Sequence, residues 1–360
     1  MDNRIHIGDM SYREVSESEV DSILSKSLDR DLDIEEIKLL SYAKKNFWPQ
    51  IIKMANKVKE KFFGKDIHFY VPLYISSHCV NNCLYCDYRR DNEKLPRKRL
   101  NFEEFKREVN YLHQKGYKKR IEIVSGSDPI ISLDDFCTYV EYVKSLGIEN
   151  VLMNSRLMGL DEYVSLKKSG LDWNWLWVES YSKEHFKAYH PRGGEKYNFE
   201  ARLDSYDAAA QAGLNIGLGV LLGLSPDWRM EMLSAIAHAK YLHNKYKVGI
   251  GFGTPRFRAP NNAPLQKTPF PEAATDDVFR LIVALYRLGF RNSYIDGSTR
   301  ENIDMLKKLW KGGGSLTNPE VKTIPGGYTL GTKGSQFAHY SYDLLDFIDI
   351  VKTEGLRPIY

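Results

Sequence analysis

The chain has 360 residues, of which 42% are hydrophobic and 27% are charged, a composition typical of a globular protein with a large core. Its formal net charge is only +4, and basic side chains alternate with acidic ones, so nothing indicates a nucleic-acid-binding surface. Residues 1–20 contain no apolar signal-peptide core, and no later stretch is apolar for long enough to span a bilayer. We therefore expect a cytoplasmic protein without nucleic-acid or membrane partners.

The first part of the chain is predicted to be helical. Residues 1–63 carry apolar side chains three and four positions apart, the spacing of amphipathic helices. None of these segments contains a group of residues suited to catalysis or metal binding. Residues 1–66 are therefore interpreted as an N-terminal helical extension.

From residue 67 onward, short apolar runs alternate with amphipathic helices. One such helix begins after Asn101, a suitable N-cap, and ends at Gly116. Eight strands alternating with helices predict an α/β fold, a (β/α)8 TIM-type barrel, over residues 67–360. The strands are predicted to begin at Ile67, Arg120, Asn150, Trp173, Asn215, Val248 and Arg291, with a weaker one near the stretch GGSLT.

One long irregular segment follows the sixth predicted strand. It reads TPRFRAPNNAPLQKTPFPEA, and its five prolines exclude both a helix and an inner strand. In a barrel this segment lies on the catalytic face. Its composition favours equally a lid or wall of the site and a surface crossover.

Three cysteines, Cys79, Cys83 and Cys86, stand close together after the first predicted strand. A disulfide framework requires an even number of cysteines in a short secreted chain, whereas the fourth, Cys137, is distant and is expected to be buried. Zinc is an alternative, but structural zinc takes four ligands and only His78 stands beside the cysteines. Three thiolates suit a [4Fe-4S] cluster with one iron open to a further ligand. We therefore predict an iron–sulfur site at the end of a barrel strand.

The motif CVNNCLYC resembles the C-x3-C-x-aromatic-C signature of the radical S-adenosylmethionine (SAM) enzymes, with Tyr85 as the aromatic residue. Further stretches resemble one branch of that family, the tyrosine and tryptophan lyases of thiazole synthesis, hydrogenase maturation and indolic-acid biosynthesis. The resemblance implies a [4Fe-4S] cluster and SAM as cofactors, with SAM cleaved to a 5'-deoxyadenosyl radical. The stretches, within residues 67–340, are VPLYISSHCVNNCLYCDYRRDN, VESYSKEHFKAYHPRG, GVLLGL, TPRFRAP and DGSTRE.

The same resemblance assigns residues to SAM. Tyr85 is expected beside the adenosine moiety, and Leu222 beside the adenine. Ser125, Gly126 and Asp128 occupy the place of the motif that receives the methionine amino group, with Gly-Ser-Asp in place of the usual Gly-Glu.

Three further residues fall where the branch contacts the ribose and the methionine carboxylate. They are Asn154, Glu179 and Arg202, and a guanidinium is chemically suited to pair with a carboxylate.

Substrate recognition is expected elsewhere on the rim. By resemblance, Arg300 grips the carboxylate of an amino-acid substrate, and Tyr74 lines the same pocket. Thr317 or Ser315 is a candidate contact for the substrate amine.

Two aromatic residues have alternative interpretations. Trp177 alternates with Trp173 and Trp175 on the fourth predicted strand, which favours core packing over a substrate-lining role. His190 follows a helix and is interpreted as a helix-end or loop residue rather than a site residue.

The leading hypothesis is a radical SAM enzyme that abstracts hydrogen from a small free α-amino acid and cleaves a carbon–carbon bond. Reduced flavodoxin or ferredoxin is the implied electron donor. One alternative is a radical SAM mutase or cofactor-maturation enzyme acting on a different small substrate. The other is a non-enzymatic iron–sulfur carrier that retains the fold.

Overall fold

A computed structural model describes residues 2–11 and 13–360, which build one curled sheet of ten parallel strands covered by helices. The strands are β1 (Asp66–Phe69), β2 (Val71–Ser76), β3 (Arg120–Ser125), β4 (Asn150–Asn154), β5 (Trp173–Asn174), β6 (Asn215–Gly219), β7 (Ile250–Gly253), β8 (Tyr294–Gly297), β9 (Leu316–Thr317) and β10 (Arg357–Ile359). The helices are α1 (Glu17–Lys26), α2 (Ile34–Tyr42), α3 (Trp48–Phe63), α4 (Phe102–Lys115), α5 (Leu133–Ser145), α6 (Leu160–Lys168), α7 (Lys183–Tyr189), α8 (Phe199–Gln211), α9 (Trp228–Tyr246), α10 (Asp276–Gly289), α11 (Ile303–Trp310) and α12 (Leu344–Thr353).

The first predicted strand joins the two ends of the sheet. It is divided at Tyr70 into β1, which pairs with β9 and β10, and β2, which pairs with β3. Pro72 has no N–H group, so β2 cannot keep an uninterrupted ladder on both sides. Leu73 still bridges to Lys322 on the far side. The predicted TIM-type α/β architecture is therefore confirmed, with a divided first strand.

Two strands differ from the prediction. The fourth predicted strand has a regular ladder only over Trp173 and Asn174. Beyond them the pairing is irregular: the N–H of Trp175 donates to the carbonyl of Met153 at 2.8 Å, and Glu179 bridges to Val220. The strand β10 was not predicted, because three residues at an exposed edge carry no period that reveals them.

The tryptophans of this strand occupy space that glycines leave open. Trp173 and Trp175 pack in a buried cluster inside the barrel with Tyr70, as predicted. A Cβ on alternate residues of β6 and β7 would overlap the ring of Trp175 or Trp177, which explains why these strands are rich in glycine. The glycines are Gly217, Gly219, Gly251 and Gly253.

The N-terminal helices pack against the outside of the barrel. The helix α3 lies against α10, and α2 lies against α9 and α10. Their buried residues, among them Ile37, Ile51 and Val58, belong to the main hydrophobic core of the barrel. The extension is thus helical as expected, and the domain boundary after residue 66 stays a prediction.

The ends of α4 follow the predicted caps. The side chain of Asn101 accepts a hydrogen bond from the backbone N–H of Glu104, and Gly116 ends the helix at a φ of 118°. No helix in the described part of the chain has the length and apolarity needed to cross a membrane.

The packing of Trp177 on glycine generates a test of the barrel interior. Gly219→Ala should lower the free energy of unfolding by about 1–3 kcal/mol, because the added methyl group overlaps the indole. The loss should be much smaller in a Trp177→Leu background, which leaves room for it. Urea unfolding of the four variants measures both values. Equal losses in the two backgrounds would contradict this packing.

Candidate active site

The carboxyl ends of the strands surround a cavity. It extends from the loop after β2 down into the barrel, where Tyr70 and Trp177 line it. The structure brings most of the predicted site residues together here. Those that line the cavity are Tyr74, Cys79, Cys83, Tyr85, Cys86, Ser125, Gly126, Asn154, Glu179, Arg202 and Arg300.

The three clustered cysteines are free thiols on the cavity wall, whereas Cys137 is a half-buried residue of α5. The side-chain amide nitrogen of Asn81 lies 3.7 Å from the Cys79 sulfur, and the side-chain amide nitrogen of Gln336 lies 3.6 Å from the Cys86 sulfur. Burial raises the pKa of Cys83 to about 11 and that of Cys86 to about 12. Thiolates at these positions therefore need compensating positive charge, which an iron–sulfur cluster supplies.

Among the described residues, no group of three or more His, Cys, Asp or Glu side chains is arranged to hold a single metal ion. Three cysteine thiolates are the ligand set of a [4Fe-4S] cluster with one open iron.

A basic side chain holds the cysteine loop together. Arg97 lies in the basic stretch YRRDNEKLPRKR, and its guanidinium donates to the carbonyls of Ser77, Tyr88 and Asn92. Gly126 packs against the same loop, since a Cβ there would overlap the His78 carbonyl oxygen. The loop conformation is therefore set by contacts that its own sequence does not reveal.

The hydroxyl of Tyr85 lies 2.6 Å from Nε2 of His190. Nδ1 of this histidine lies 2.6 Å from the carbonyl oxygen of Phe186, an arrangement in which Nδ1 donates and Nε2 accepts from the tyrosine. Burial lowers the pKa of His190 well below its ordinary value, which keeps the ring neutral. His190 lies at the end of α7, as one of the two expected placements has it, and it also positions the aromatic residue of the cysteine motif.

Glu179 is paired with a lysine that the sequence did not single out. Nζ of Lys196 lies 2.7 Å from Oε1 of Glu179, and both side chains are about nine-tenths buried. Burial alone would raise the pKa of Glu179, but Lys196, Arg300 and Arg202 together lower it below its ordinary range. The glutamate adopts a φ of 72°, in the left-handed region that residues other than glycine rarely occupy.

Two polar groups on the cavity wall have no partner among the described residues. They are Nε of Arg202 and the hydroxyl of Ser125, both fully enclosed. Buried polar atoms normally make hydrogen bonds, so orphaned ones beside a cavity indicate a polar ligand. The donor set of this wall fits SAM, because Arg202 suits a carboxylate and Asn154 and Ser125 suit amino or hydroxyl groups.

The structure does not bring Asp128 or Leu222 into the cavity. The Asp128 carboxylate is held in an ion pair with Arg99 at 2.6 Å and accepts a hydrogen bond from Ser76 at 2.6 Å. Leu222 packs into the main core, whereas its neighbour Leu221 packs beside Tyr85 and Cys83. Successive residues of an extended chain point to opposite sides, so an error of one position in the sequence assignment exchanges a side chain of the site for one of the core.

Arg300 reaches the cavity from the segment after β8. Its guanidinium lies 3.6 Å from the ring centre of Phe337, and no carboxylate of the described residues lies within 4.0 Å of it. The neighbouring Glu301 is held by Arg256 and Arg258, which fixes the backbone at this point. The hydroxyl of Tyr74 donates to Gln336 at 2.9 Å.

The candidate contacts for a substrate amine lie elsewhere. The hydroxyl of Thr317 donates to the carbonyl of Gly297, and that of Ser315 accepts from Arg287. Neither residue lines the cavity, so the structure gives this expectation no support, and it stays a prediction.

The proline-rich segment forms a wall of the site rather than a remote crossover. Asp87, next to the last clustered cysteine, accepts hydrogen bonds from the backbone N–H groups of Asn261 and Asn262. Pro255 lines the cavity, and Phe257 packs with Cys83 and Tyr85. The segment thereby covers the cysteine loop.

Sequence reasoning also missed two acidic residues deep in the barrel. Glu122 of β3 and Asp296 of β8 both line the lower part of the cavity. A carboxylate between two isoleucines in the middle of a predicted strand is the signal that could have revealed Glu122.

Comparison with known proteins identifies similar chains. The Radical SAM superfamily model matches residues 73–236. A crystal structure of HydG, a maturase of the [FeFe]-hydrogenase, has a TM-score of 0.89 and 29% identity, and the match covers 96% of this chain and 76% of that one. HydG from Carboxydothermus hydrogenoformans has a TM-score of 0.84 and 31% identity, covering 95% of this chain and 79% of that one.

A curated relative is similar over a shorter region. The 2-iminoacetate synthase of Escherichia coli (strain K12) is 29% identical over 209 residues, which is 58% of this chain and 55% of that protein. The chain thus spans about half the length of the curated relative. The matches to HydG extend over most of both chains and include the barrel and its cysteine loop. The chain therefore belongs to the radical SAM superfamily, whose members bind a [4Fe-4S] cluster and SAM, and its similarity to HydG fits the lyase branch that the motifs indicate.

Proposed function

We propose that the chain is a radical SAM enzyme that acts on a small free α-amino acid and cleaves a carbon–carbon bond in it. The supporting observation is an unpaired guanidinium, that of Arg300, in the same enclosed cavity as the three cysteines. A half-buried cation that faces a cavity without a carboxylate partner is well placed to bind a ligand that supplies one.

The two guanidinium groups of the cavity suit two different ligands. Arg202 and Arg300 are both free of carboxylate partners within the described residues, whereas Lys196 is already paired with Glu179. SAM carries one carboxylate and an amino acid carries another, so two guanidinium groups have two matching anions. By this assignment, Arg202 binds SAM and Arg300 binds the substrate.

The cavity walls serve the chemistry by excluding water. When bound, the cluster and SAM supply a 5'-deoxyadenosyl radical, which reacts with most C–H bonds. Tyr74 and Phe337 enclose the Arg300 side, and the proline-rich segment covers the cysteine loop. A substrate held by Arg300 inside these walls presents one set of hydrogen atoms to the radical.

An enzyme of this kind requires an electron donor and a reducing compartment. The electron that reductive SAM cleavage requires is assigned to a reduced flavodoxin or ferredoxin, and the cytoplasm is the compartment in which free thiols stay reduced.

Replacing the clustered cysteines tests the cofactor assignment. After anaerobic reconstitution, Cys83→Ala should lose the paramagnetic resonance signal of the reduced cluster and yield no 5'-deoxyadenosine with SAM and dithionite. Cys137→Ala is the matched control, since that thiol lies outside the cavity, and it should keep both. A Cys83→Ala protein that still forms 5'-deoxyadenosine would contradict the proposal.

Replacing Arg300 tests the substrate class. Arg300→Gln should raise the KM for the amino acid roughly tenfold to a hundredfold, because a hydrogen-bonded ion pair with the substrate carboxylate is lost. Mass detection of amino-acid fragments during turnover against the twenty amino acids supplies the assay and shows which bond breaks.

Arg107→Gln serves as the control for that variant, because Arg107 is an exposed residue of α4 that does not line the cavity. It should leave the KM unchanged. If Arg300→Gln turned over an amino acid with an unchanged KM, the guanidinium would not hold the substrate, and a mutase or maturation reaction on a substrate without that carboxylate would be favoured.

A further inference from the structure

The side chain of Gln336 reaches the cysteine loop from a remote part of the chain. It lies in the irregular segment between β9 and α12, and its amide nitrogen lies 3.6 Å from the Cys86 sulfur. Sulfur is a large acceptor, so this separation is that of an N–H···S hydrogen bond. By contrast, Asn81, whose amide contacts the Cys79 sulfur, belongs to the cysteine loop itself. The donor on Gln336 is therefore supplied by folding and not by the cysteine motif.

The backbone of Gln336 is fixed on both sides. Its N–H donates to the carbonyl of Thr323 at 3.1 Å, and its carbonyl accepts from the N–H of Asp87, in the cysteine loop, at 3.1 Å. The ring centre of the next residue, Phe337, lies 3.6 Å from the guanidinium of Arg300. These contacts hold the Gln336 side chain beside the cysteine loop whether or not its amide makes a hydrogen bond.

The hydroxyl of Tyr74 sets the orientation of the Gln336 amide, because it donates to the amide oxygen at 2.9 Å. A thiolate accepts hydrogen bonds and donates none, so a deprotonated Cys86 favours the same orientation, with the amide NH2 toward sulfur. The hydrogen bonds from Tyr74 to Gln336 and from Gln336 to Cys86 therefore support each other.

The surroundings of this contact are mainly apolar. Cys86 packs against a buried cluster that includes Tyr74, Tyr88, Leu95 and Ile324. In such surroundings a hydrogen bond to a charged group is stronger than in water, because few other dipoles screen it. Negative charge on the Cys86 sulfur is correspondingly costly without a donor.

We propose, building on the proposed function, that the Gln336 amide, oriented by Tyr74, raises the reduction potential of the iron–sulfur cluster through its hydrogen bond to Cys86. Reduction adds one negative charge to the cluster and its thiolates, and a donor to a ligand sulfur stabilises that charge. The contact makes it more favourable to accept the electron that SAM cleavage requires. Gln336 acts through a cluster ligand, so it is a positioning residue.

The reduction potential of the reconstituted protein tests this proposal. Gln336→Met keeps the length of the side chain and removes the donor. At the potential that half-reduces the unmodified protein, the ratio of reduced to oxidised cluster should fall roughly threefold to tenfold, a downward shift of about 30–60 mV for a one-electron couple. An anaerobic redox titration followed by paramagnetic resonance, without SAM or substrate, measures this shift.

Tyr74→Phe provides a second measurement, because it removes one hydroxyl and keeps the ring. Without that hydroxyl the Gln336 amide loses its orientation, so the reduction potential should also fall. Adding Gln336→Met to this variant should then lower the potential by less than it does in the unmodified protein. Equal shifts in the two backgrounds would overturn the role of Tyr74, and the proposal with it.

Gln114→Met is the matched control, at an exposed position of α4 outside the cavity, and it should leave the potential unchanged. Iron and sulfide analysis verifies that every variant carries a full cluster. An unchanged potential in fully loaded Gln336→Met would overturn the proposal. That outcome is separate from a failure of the proposed function, which would appear as absence of 5'-deoxyadenosine and of amino-acid fragments from the unmodified holoenzyme with SAM and dithionite.

Discussion

Residues 66–76 close the barrel, because this strand run pairs with both ends of the sheet, and the positions of the site residues follow from that closure. Its first half holds β9 and β10 and its second half holds β3, so the sheet curls around an interior space. The same run inserts Tyr70 and Tyr74 into that space and releases the cysteine loop at its end. A shift of one residue in its register would turn these side chains outward. The same strand run therefore both closes the barrel and positions residues of the site.

The interior of the barrel divides into a packed part and an open part. Trp173 and Trp175 fill the lower end over glycines of the neighbouring strands, and Trp177 marks the beginning of the cavity. Above it, charges are distributed unevenly, with Glu179 and Lys196 already paired and Arg202 and Arg300 unpaired. Unpaired buried charge is costly in an apolar interior, so its retention is consistent with ligands that complete it.

The two acids at the lower end extend this logic along the length of the cavity. Glu122 and Asp296 line the same cavity as the two guanidinium groups, and within the described residues neither acid makes an ion pair. If the chain neutralised them internally, as it does for Asp128 with Arg99, they would be structural. The contrast between a paired and an unpaired buried carboxylate separates residues that build the protein from residues that face a ligand.

The sequence by itself determined the alternation of strands and helices, the TIM-type fold, and the three cysteines with their aromatic partner, because these are local patterns of period and spacing. Which distant side chains meet those cysteines depends instead on how the chain folds. His190 and Lys196 come from the connection between α7 and α8, and Arg97 comes from the loop after β2. Glu122 and Asp296 come from strands on different parts of the barrel, so no spacing along the chain relates them to the cysteines. The direction of Leu222 and the partner of Asp128 were likewise decided by strand register and by a competing arginine. Local patterns predict elements, whereas pairing between remote residues depends on how the barrel closes.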